Sequence, residues 1–249
     1  MKTGKFFALI LCGLLLLSAC RPGNMNIGIR NKIKASDNIV KREYKFEAFD
    51  KIDISAVAHV RFVQSDKQDE FRAVMTAPDN YLELFKFENN GGQLEIKFAK
   101  RSVNIENHKV SIVVYAPSLS LLNNSGVAEV EIGKLCSQNL GVDNSGVGNI
   151  KIQDLEVGAL NVECSGVGNI TLAGKADAAK LECTGVGNIK AADLKARSVE
   201  AGVSGVGSVE CNASENISGE VSGVGALRYG GKPASKELHR SGIGKISEL

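Results

Sequence analysis

The chain has 249 residues, of which 27 are glycine, 5% are aromatic and none is tryptophan. The first 19 residues hold two lysines and no acid, so the rest of the chain carries 28 basic and 28 acidic residues. Without an excess of one charge there is no field to collect nucleic acid, which excludes nucleic acid as a partner.

Residues 1–19 are predicted to be a lipoprotein signal peptide. Lys2 and Lys5 give a positive start, residues 6–17 are apolar but too short to span a membrane, and Leu17-Ser18-Ala19-Cys20 resembles a bacterial lipobox. We therefore expect Cys20 to be the lipid attachment site and the membrane to be a partner through this anchor. An ordinary secretory cleavage site is the alternative. The expected location is the cell envelope, at the outer membrane, facing either the periplasm or the surface.

Residues 20–42 are predicted to be a flexible, solvated tether, because they are locally basic and contain Pro22, Gly23 and scattered Asn.

Residues 43–120 are predicted to be an irregular β region that caps the segment after them. Strand-like stretches occur at 71–76, 84–88, 93–98 and 109–115, and Asn89-Asn90-Gly91-Gly92 predicts a hairpin turn. A single helical turn is expected after Pro78.

Residues 121–249 repeat the tripeptide Ser/Thr-Gly-Val/Ile seven times. Its structural corner glycines are Gly126, Gly146, Gly166, Gly185, Gly205, Gly223 and Gly242. The successive steps are 20, 20, 19, 20, 18 and 19 residues, and a fixed period of this size indicates stacked structural units. Apolar residues recur four and six positions before and after these glycines and alternate with polar ones, as in strands with one buried face.

The predicted fold is therefore all-β: a parallel β-helix, or β-solenoid, with coils of 19–20 residues and two short strands flanking each glycine corner. At least one corner position should need a positive φ. A leucine-rich repeat has a similar period but would need several leucines at fixed offsets, whereas glycine and β-branched residues dominate here. Residues 54–62 match 124–132 position by position, which predicts an early, degenerate coil.

The chain resembles a known family on three features together: the lipoprotein signal, the Phe-Asp-Lys-Ile-Asp-Ile-Ser stretch at 49–55 and the repeated Ser-Gly-Val-Gly-Asn-Ile corners. It is similar to the auto-transporter adhesin head GIN domain family of Bacteroides-type bacteria over about residues 46–246. The resemblance implies a right-handed β-helix at the cell envelope. It implies little about ligand or mechanism, because a fold does not supply them.

The candidate ligand or cation ladder comprises Asp143, Glu163 and Glu182, each three residues before a corner glycine, with Glu220 two coils further on. Stacked carboxylates about 5 Å apart raise one another's pKa unless cations or basic residues intervene. A polysaccharide-cleaving β-helix would place its acids on such a face. The alternative is a solvated face that is compensated by lysines such as Lys151 and Lys190.

The cysteines are assigned by their offset from the corner glycine, since residues with the same offset should stack in one column. Cys164 and Cys183 both lie two residues before a corner glycine, so they should stack as buried thiols, with a disulfide between them as the alternative. Cys211 replaces a core aliphatic residue, and Cys136 has no clear assignment. No Cys-x-x-Cys pair or His cluster predicts a metal site. Asn149, Asn169 and Asn188 should form an amide hydrogen-bond ladder.

The favoured function is therefore a non-enzymatic, lipid-anchored envelope protein, an adhesin that binds a glycan or another envelope component. No catalytic residue and no cofactor are predicted. The alternatives are a polysaccharide-active enzyme that uses the acidic ladder and a purely structural envelope module. Tyr229 is the one aromatic residue in the repeats, which weighs against a sugar-cleaving site because such sites usually need stacking rings.

Overall fold

The computed structural model describes residues 32–101, 103–106 and 109–249. The predicted signal peptide, Cys20 and His108 lie outside these residues. The strands are β1 (Ile39–Lys45), β2 (Lys51–Ile54), β3 (Val57–Gln64), β4 (Arg72–Pro78), β5 (Phe85–Asn90), β6 (Gln93–Phe98), β7 (Ser111–Ala116), β8 (Leu121–Asn124), β9 (Val127–Asn144), β10 (Ile150–Cys164), β11 (Val167–Cys183), β12 (Val186–Val203), β13 (Val206–Val221), β14 (Val224–Gly230), β15 (Ser235–Arg240) and β16 (Lys245–Glu248).

The repeats form a β-solenoid of parallel, stacked coils, as predicted. Strand β10 pairs in parallel with β9 on one side and β11 on the other, so Ile150 lies between Val130 and Ile170, and Val162 lies between Val142 and Leu181. The predicted apolar columns are buried along this stack, because each coil can hide its inward side chains only against the coils above and below.

Each coil has a third, middle segment that was not predicted. Strands β9 to β13 are 15 to 18 residues long and run through the coil, rather than forming two short strands around one corner. Leu135, Leu155 and Leu194 point inward from the middle segment. The register shifts by a bulge between Thr171 and Ala173, which bends the strand without ending the ladder. We call the three parts of a coil its first, middle and last segments.

Both glycines of the Gly-Val-Gly corner lie against the backbone of the preceding coil. Gly148 and Gly168 have φ of 135° and 143°, so the expectation of a positive φ at the corner is correct for the second glycine in these two coils. A Cβ on Gly168 would also lie 1.9 Å from the carbonyl oxygen of Gly148. At the first glycine the reason is close approach, because a Cβ on Gly166 would lie 2.0 Å from the carbonyl oxygen of Gly146 in the preceding coil. Stacked corners therefore touch backbone to backbone.

The degenerate first coil is confirmed by the register. Strand β3 pairs with β9 from Val57 opposite Val127 to Phe62 opposite Ile132, and β2 pairs with β8 so that Ile54 lies opposite Asn124. Ala56 stands where later coils have their corner glycine, and a Cβ on Gly126 would lie 2.3 Å from its carbonyl oxygen. Ala56 is tolerated because no earlier corner packs against it.

Antiparallel strands cover the N-terminal end of the stack. Strand β4 pairs with β1 and β7, and β5 and β6 form the predicted hairpin through Gly91 and Gly92, whose φ values are 60° and 82°. A 3-10 helix over Asp79–Leu84 follows β4, as expected after Pro78. The cap blocks the edge that a solenoid would otherwise leave open to aggregation.

The predicted flexible tether is wrong for the last residues assigned to it. Ile39–Lys45 is strand β1, and Ala35 is buried in the core. Val40 and Tyr44 lie on one side of this strand, with the exposed Arg42 between them, and pack partly against the core. The Tyr44 ring stacks on Phe87 at 4.4 Å between centroids. A paired strand forms here instead of a flexible segment because β4 offers an open edge. No helix among the described residues has the length and apolarity to cross a membrane.

Candidate ligand-binding face

The predicted acidic ladder is aligned in the structure. Glu163 lies opposite Asp143 on one side and Glu182 on the other, on the outward side of the last segment of the coil. The column is also longer than predicted. In sheet order it comprises Glu88, Glu95, Asp53, Asn123, Asp143, Glu163, Glu182, Gly202 and Glu220. The N-terminal members come from the cap strands, whose register with the repeats could not be derived from the period.

Lysines neutralise the N-terminal end of the ladder and, further along it, Glu182. The ammonium of Lys97 lies 2.5 Å from carboxylate oxygens of both Glu88 and Glu95. Hydrogen bonds from Lys86 and then Lys97 lower the pKa of Glu88 to about 2. Further along, the Lys180 ammonium lies 2.9 Å from Glu182 and 3.4 Å from Glu200. Hydrogen bonds from Lys97 and then Asn90 also lower the pKa of Glu95, so Glu88 and Glu95 are held ionised in the folded protein.

The middle of the ladder is not neutralised. Asp143 and Glu163 form no ion pair with any described residue. The Oδ1 atom of Asp143 is buried without a hydrogen-bond partner, and burial raises the pKa of Asp143. Burial, then the charges of Glu95 and Asp143, raise the pKa of Asp53 in the same column. An unpaired, partly buried carboxylate next to an exposed one is a place where a ligand can supply the missing partners.

Lys151 and Lys190 do not compensate this face. They lie on the first segment, beyond the glycine corner, where Lys151 is opposite Glu131 and Thr171, and Lys190 is opposite Glu210. The prediction that Lys151 and Lys190 neutralise the ladder is therefore wrong, because the corner turns these lysines away from it. Lys180, which has the compensating role, lies two residues before Glu182 on the same segment.

An open groove of about 470 Å³ runs beside the ladder, along the solenoid axis. Ala159, Ala178 and Ser198 form one of its outward columns, and Lys180 and Glu200 are among its lining residues. The small side chains leave the groove open and the charged ones line it. The face thus combines a column of carboxylates with a trough that crosses several coils.

The other predicted columns have structural roles. Asn169 donates to Asn149 at 3.0 Å and Asn188 donates to Asn169 at 2.8 Å, so the amide ladder is confirmed. Cys211 is a core residue, as expected, and burial raises its pKa to about 12. Cys136 is exposed on the middle segment. His59 and His239 lie far apart in the strand order, and no group of three His, Cys, Asp or Glu in the described ranges could hold a metal ion.

The buried column behind the corner contains Asn124, Asn144, Cys164 and Cys183. Asn124 donates to the Oδ1 of Asn144 at 2.8 Å. Cys164 and Cys183 are opposite each other across β10 and β11, and both are buried free thiols. The neighbouring Cys183 thiol, and then burial, raise the pKa of Cys164. These thiols are therefore core groups, inaccessible to a ligand on the outer face.

Sequence reasoning missed a second exposed column. The corner residues Val127, Val147, Val167, Val186, Val206 and Val224 are 41% to 56% exposed and lie in register across the coils. The signal was present in the sequence, since each corner glycine is followed by valine or isoleucine. The same alternation that places Ile150 inward places Val147 outward.

A β-solenoid that presents a column rich in carboxylates and a groove across several coils belongs to the class of solenoid repeat proteins. The family described as "Putative auto-transporter adhesin, head GIN domain" matches residues 48–233, and the chain belongs to this family. The family expected from the corner motifs is therefore confirmed, and an adhesin family indicates a protein of the cell envelope or surface.

Solved structures agree with this assignment. A crystal structure described as a putative adhesin from Bacteroides fragilis is 36% identical, covers 87% of this chain and 100% of its own, and superposes with a TM-score of 0.84. A putative lipid binding protein from Parabacteroides distasonis, 24% identical over 88% of this chain and 100% of its own, shares the fold with a TM-score of 0.68. A putative adhesin from Parabacteroides merdae does so at 19% identity, 88% and 99% coverage, and a TM-score of 0.63. No curated protein matches the chain.

Proposed function

We propose that this protein is a non-enzymatic, lipid-anchored adhesin of the outer membrane that binds a glycan or another envelope component along the last-segment face. The observation that carries the proposal is the last-segment face itself, on which Asp143 and Glu163 have no ion pairs and a groove crosses the coils that follow. Membership of an adhesin family supports the same function.

The chemistry of the face favours a hydroxyl-rich ligand. Carboxylates accept hydrogen bonds from sugar hydroxyls, and Lys180 and the Asn161 amide in the adjacent outward column add donors. A groove parallel to the solenoid axis suits a chain-like ligand that crosses several coils. Because contacts repeat from coil to coil, many weak interactions can act together.

The experiment is a glycan-array screen of the purified protein with two matched variants. Glu163→Gln removes a ladder carboxylate, and Glu156→Gln removes an exposed carboxylate from the middle segment of the same coil. We expect binding that is lost in Glu163→Gln and kept in Glu156→Gln. Equal binding by both variants, or no binding by the wild-type protein to glycans or to isolated envelope fractions, would contradict the proposed face.

A polysaccharide-active enzyme is the second candidate, favoured by one observation. Asp143 has a raised pKa and lies beside Glu163 on a paired strand, where Cα atoms are about 4.8 Å apart. Retaining glycosidases use a protonated and an ionised carboxyl at about 5–5.5 Å. Release of reducing ends from a bound glycan, lost in both Asp143→Asn and Glu163→Gln, would establish this function; binding without release supports adhesion.

The anchor and the location need separate tests. We expect Cys20→Ser to release the protein from the membrane fraction, with Cys12→Ser, within the predicted signal peptide, as the control. Immunolabelling of intact and permeabilised cells then separates the two sides of the outer membrane. Adhesion to an external partner requires labelling of intact cells, and labelling of permeabilised cells alone would favour a periplasmic partner.

A further inference from the structure

The described chain begins against the cap, at the N-terminal end of the solenoid. Ile33 forms a parallel bridge with Ile105, and its carbonyl oxygen accepts a hydrogen bond from the hydroxyl of the buried Tyr81 at 2.7 Å. Ile105 lies in the connection between β6 and β7, the strands that pair with β2 and β3 of the degenerate first coil. Lys32, where the preceding chain joins the fold, is therefore at the opposite end of the stack from β16.

Exposed basic residues surround this entry point. Lys32 and Lys34 lie on either side of Ile33, and Lys100 and Arg101 open the connection that bridges with it. All four side chains are exposed, and none of them forms an ion pair with a described residue. We call Lys32, Lys34, Lys100 and Arg101 the basic end.

The neighbouring acidic residues leave the basic end with an excess of positive charge. The Glu106 carboxylate is already 3.8 Å from the Lys109 ammonium. Asp79 accepts hydrogen bonds from Ser36 and Asn38, and Asp37 is the first acidic residue after the entry point. Asp37 and Asp79 therefore stand against four basic residues, and the chain between Cys20 and Lys32 adds Arg21 and Arg30 without any acid.

We propose that the basic end is a membrane-contact surface, which binds the anionic headgroups of phospholipids so that the solenoid stands on its cap. The membrane is the partner because of where the chain leads, and this step rests on the proposed anchor at Cys20. Eleven residues separate Cys20 from Lys32, and this length of chain spans at most about 40 Å. An anchored molecule thus holds the basic end within reach of the headgroups at all times.

The charges of the solenoid favour this end of the molecule over its sides. Clusters of lysine and arginine next to an anchor are attracted to anionic lipids, and the attraction falls off within a Debye length, so it acts on the residues that face the membrane closely. On the last-segment face, Asp143 and Glu163 have no ion pairs and would be repelled by the same lipids. Attraction of the cap and repulsion of the ligand face therefore favour the same orientation.

This orientation fixes where the ligand groove lies relative to the membrane. The sheet path from β1 to β16 has ten pairing steps, or about 48 Å at about 4.8 Å a step. Strand β10, which contributes Ala159 and Leu160 to the groove, is five steps from β1. The groove would then begin about 24 Å beyond the edge strand of the cap and run away from the membrane.

Lysine acetylation of the full, lipid-bearing protein tests the contact. The protein is reconstituted into vesicles of phosphatidylcholine alone, or of equal parts of phosphatidylcholine and phosphatidylglycerol, then acetylated and analysed by mass spectrometry. Lys32, Lys34 and Lys100 should be acetylated several-fold less on the anionic vesicles, whereas the exposed Lys190 in the repeats should react equally on both. High salt should abolish the protection, because it screens the attraction.

Two matched variants assign the protection to the basic end. Lys109, which lies beside the basic end, serves as the reporter. Its protection on anionic vesicles should be lost when the basic end is removed and kept when four exposed lysines without ion pairs are removed from the repeats. Thermal unfolding checks that both variants fold. The variants are Lys32→Gln/Lys34→Gln/Lys100→Gln/Arg101→Gln and Lys151→Gln/Lys175→Gln/Lys190→Gln/Lys195→Gln.

Flotation with the neutral vesicles separates this proposal from the proposed anchor, because only a lipid can hold the protein there. Protein that floats with both vesicles but is acetylated equally on both keeps the anchor and refutes the basic end. Protein that floats with the anionic vesicles alone, with Lys34 protected, supports the basic end and refutes the anchor. Stronger protection of Lys190 than of Lys34 would mean that the repeats lie on the membrane, and protection of Lys109 that survives removal of the basic end would also overturn the proposal.

Discussion

The thiol of Cys183 donates a hydrogen bond to the carbonyl oxygen of Gly187, 3.3 Å away. The same bond recurs in the two preceding coils, from the Cys164 thiol to Gly168 at 3.7 Å and from the Asn144 amide to Gly148 at 3.2 Å. A side chain behind the corner thus binds the carbonyl four residues later, on the far side of the turn. The same column continues with Val203 and Val221 in the next two coils, so the corner accommodates this donor without requiring it.

The first prediction is that Cys164 and Cys183 remain free thiols in the purified protein. A disulfide between them would remove both S–H donors from the carbonyls of Gly168 and Gly187. Alkylation under denaturing conditions, with and without prior reduction, followed by intact mass measurement, should give the same mass in both samples. Two additional adducts after reduction would establish the bridge. Cys183→Ala, which cannot form it, is the control.

The buried columns of the solenoid could be predicted from the sequence because their spacing from the glycine is constant. Ile150, Val162 and their equivalents keep the same offset in each coil, and the match of 54–62 to 124–132 identified the first coil. The middle segment escaped prediction because Gly174 takes the place of leucine opposite Leu155 and the bulge then shifts the register. Gly174 therefore interrupts the leucine column both in the sequence and in the stack, where it lies between Leu155 and Leu194.

The sequence predicts which acidic residues align in the ladder, but it does not predict how far the ladder extends or which lysines neutralise it. Asp143, Glu163 and Glu182 follow from the period alone. Their extension through Asp53 and Glu95 depends on how the cap strands pair with the first coils, and this pairing is non-local. Which lysine compensates them depends on the corner, because Lys151 is near the ladder in sequence but faces another direction in space.

The second prediction concerns the contact between stacked corners. Gly166→Ala should destabilise the protein by more than about 1 kcal/mol, because its Cβ would lie 2.0 Å from the Gly146 carbonyl oxygen and backbone cannot move aside easily. Gly202→Ala is the matched control. Its Cβ would meet nothing closer than Glu182 Cγ at 3.7 Å, so a gain of about 0.5 kcal/mol is expected from the stiffer unfolded chain.

Urea unfolding of both glycine variants measures the difference. If Gly166→Ala unfolds at the wild-type midpoint, the coils do not stack with the backbone contact described. If Gly202→Ala is as damaging as Gly166→Ala, the loss reflects a general intolerance of side chains on the last segment rather than contact at the corner.

The third prediction is that Asp143→Asn stabilises the protein at neutral pH. Burial raises the pKa of Asp143 in the folded state, so the folded protein binds a proton at pH values where the unfolded chain has already lost it. Stability from this group therefore falls as pH rises through the folded pKa, and at pH 7 the ionised carboxylate is a cost. The amide removes this charge and can extend the hydrogen bonding of its column neighbour Asn123.

Thermal unfolding as a function of pH tests the Asp143 prediction. The gain in Tm should be present at pH 7 and vanish below about pH 3.9, where the carboxyl is protonated in both states. Glu163→Gln, one coil further along the same column but exposed, should leave Tm unchanged. A loss of Tm in Asp143→Asn at pH 7 would mean that the ionised carboxylate has a stabilising partner.

The fourth prediction concerns the neutralised end of the ladder. Lys97 contacts both Glu88 and Glu95, and the pKa of Glu88 is lowered from 4.5 to about 2 by Lys86 and Lys97. A carboxylate with a lowered folded pKa stabilises the protein above its unfolded pKa, and this stabilisation is lost as pH falls through the folded value. Lys97→Met should raise the pKa of both carboxyls and destabilise the hairpin of β5 and β6 at neutral pH, most clearly at low salt.

NMR titration of the Glu88 carboxyl should therefore give about 2 in wild type and a higher value in Lys97→Met. The stability difference between the two proteins should be constant above pH 4.5 and close between pH 4.5 and 2. Lys100→Met removes a nearby exposed lysine and should change neither quantity. A Glu88 pKa that stays low in Lys97→Met would mean that Lys86 alone holds the charge, and the ladder would then be neutralised from one side.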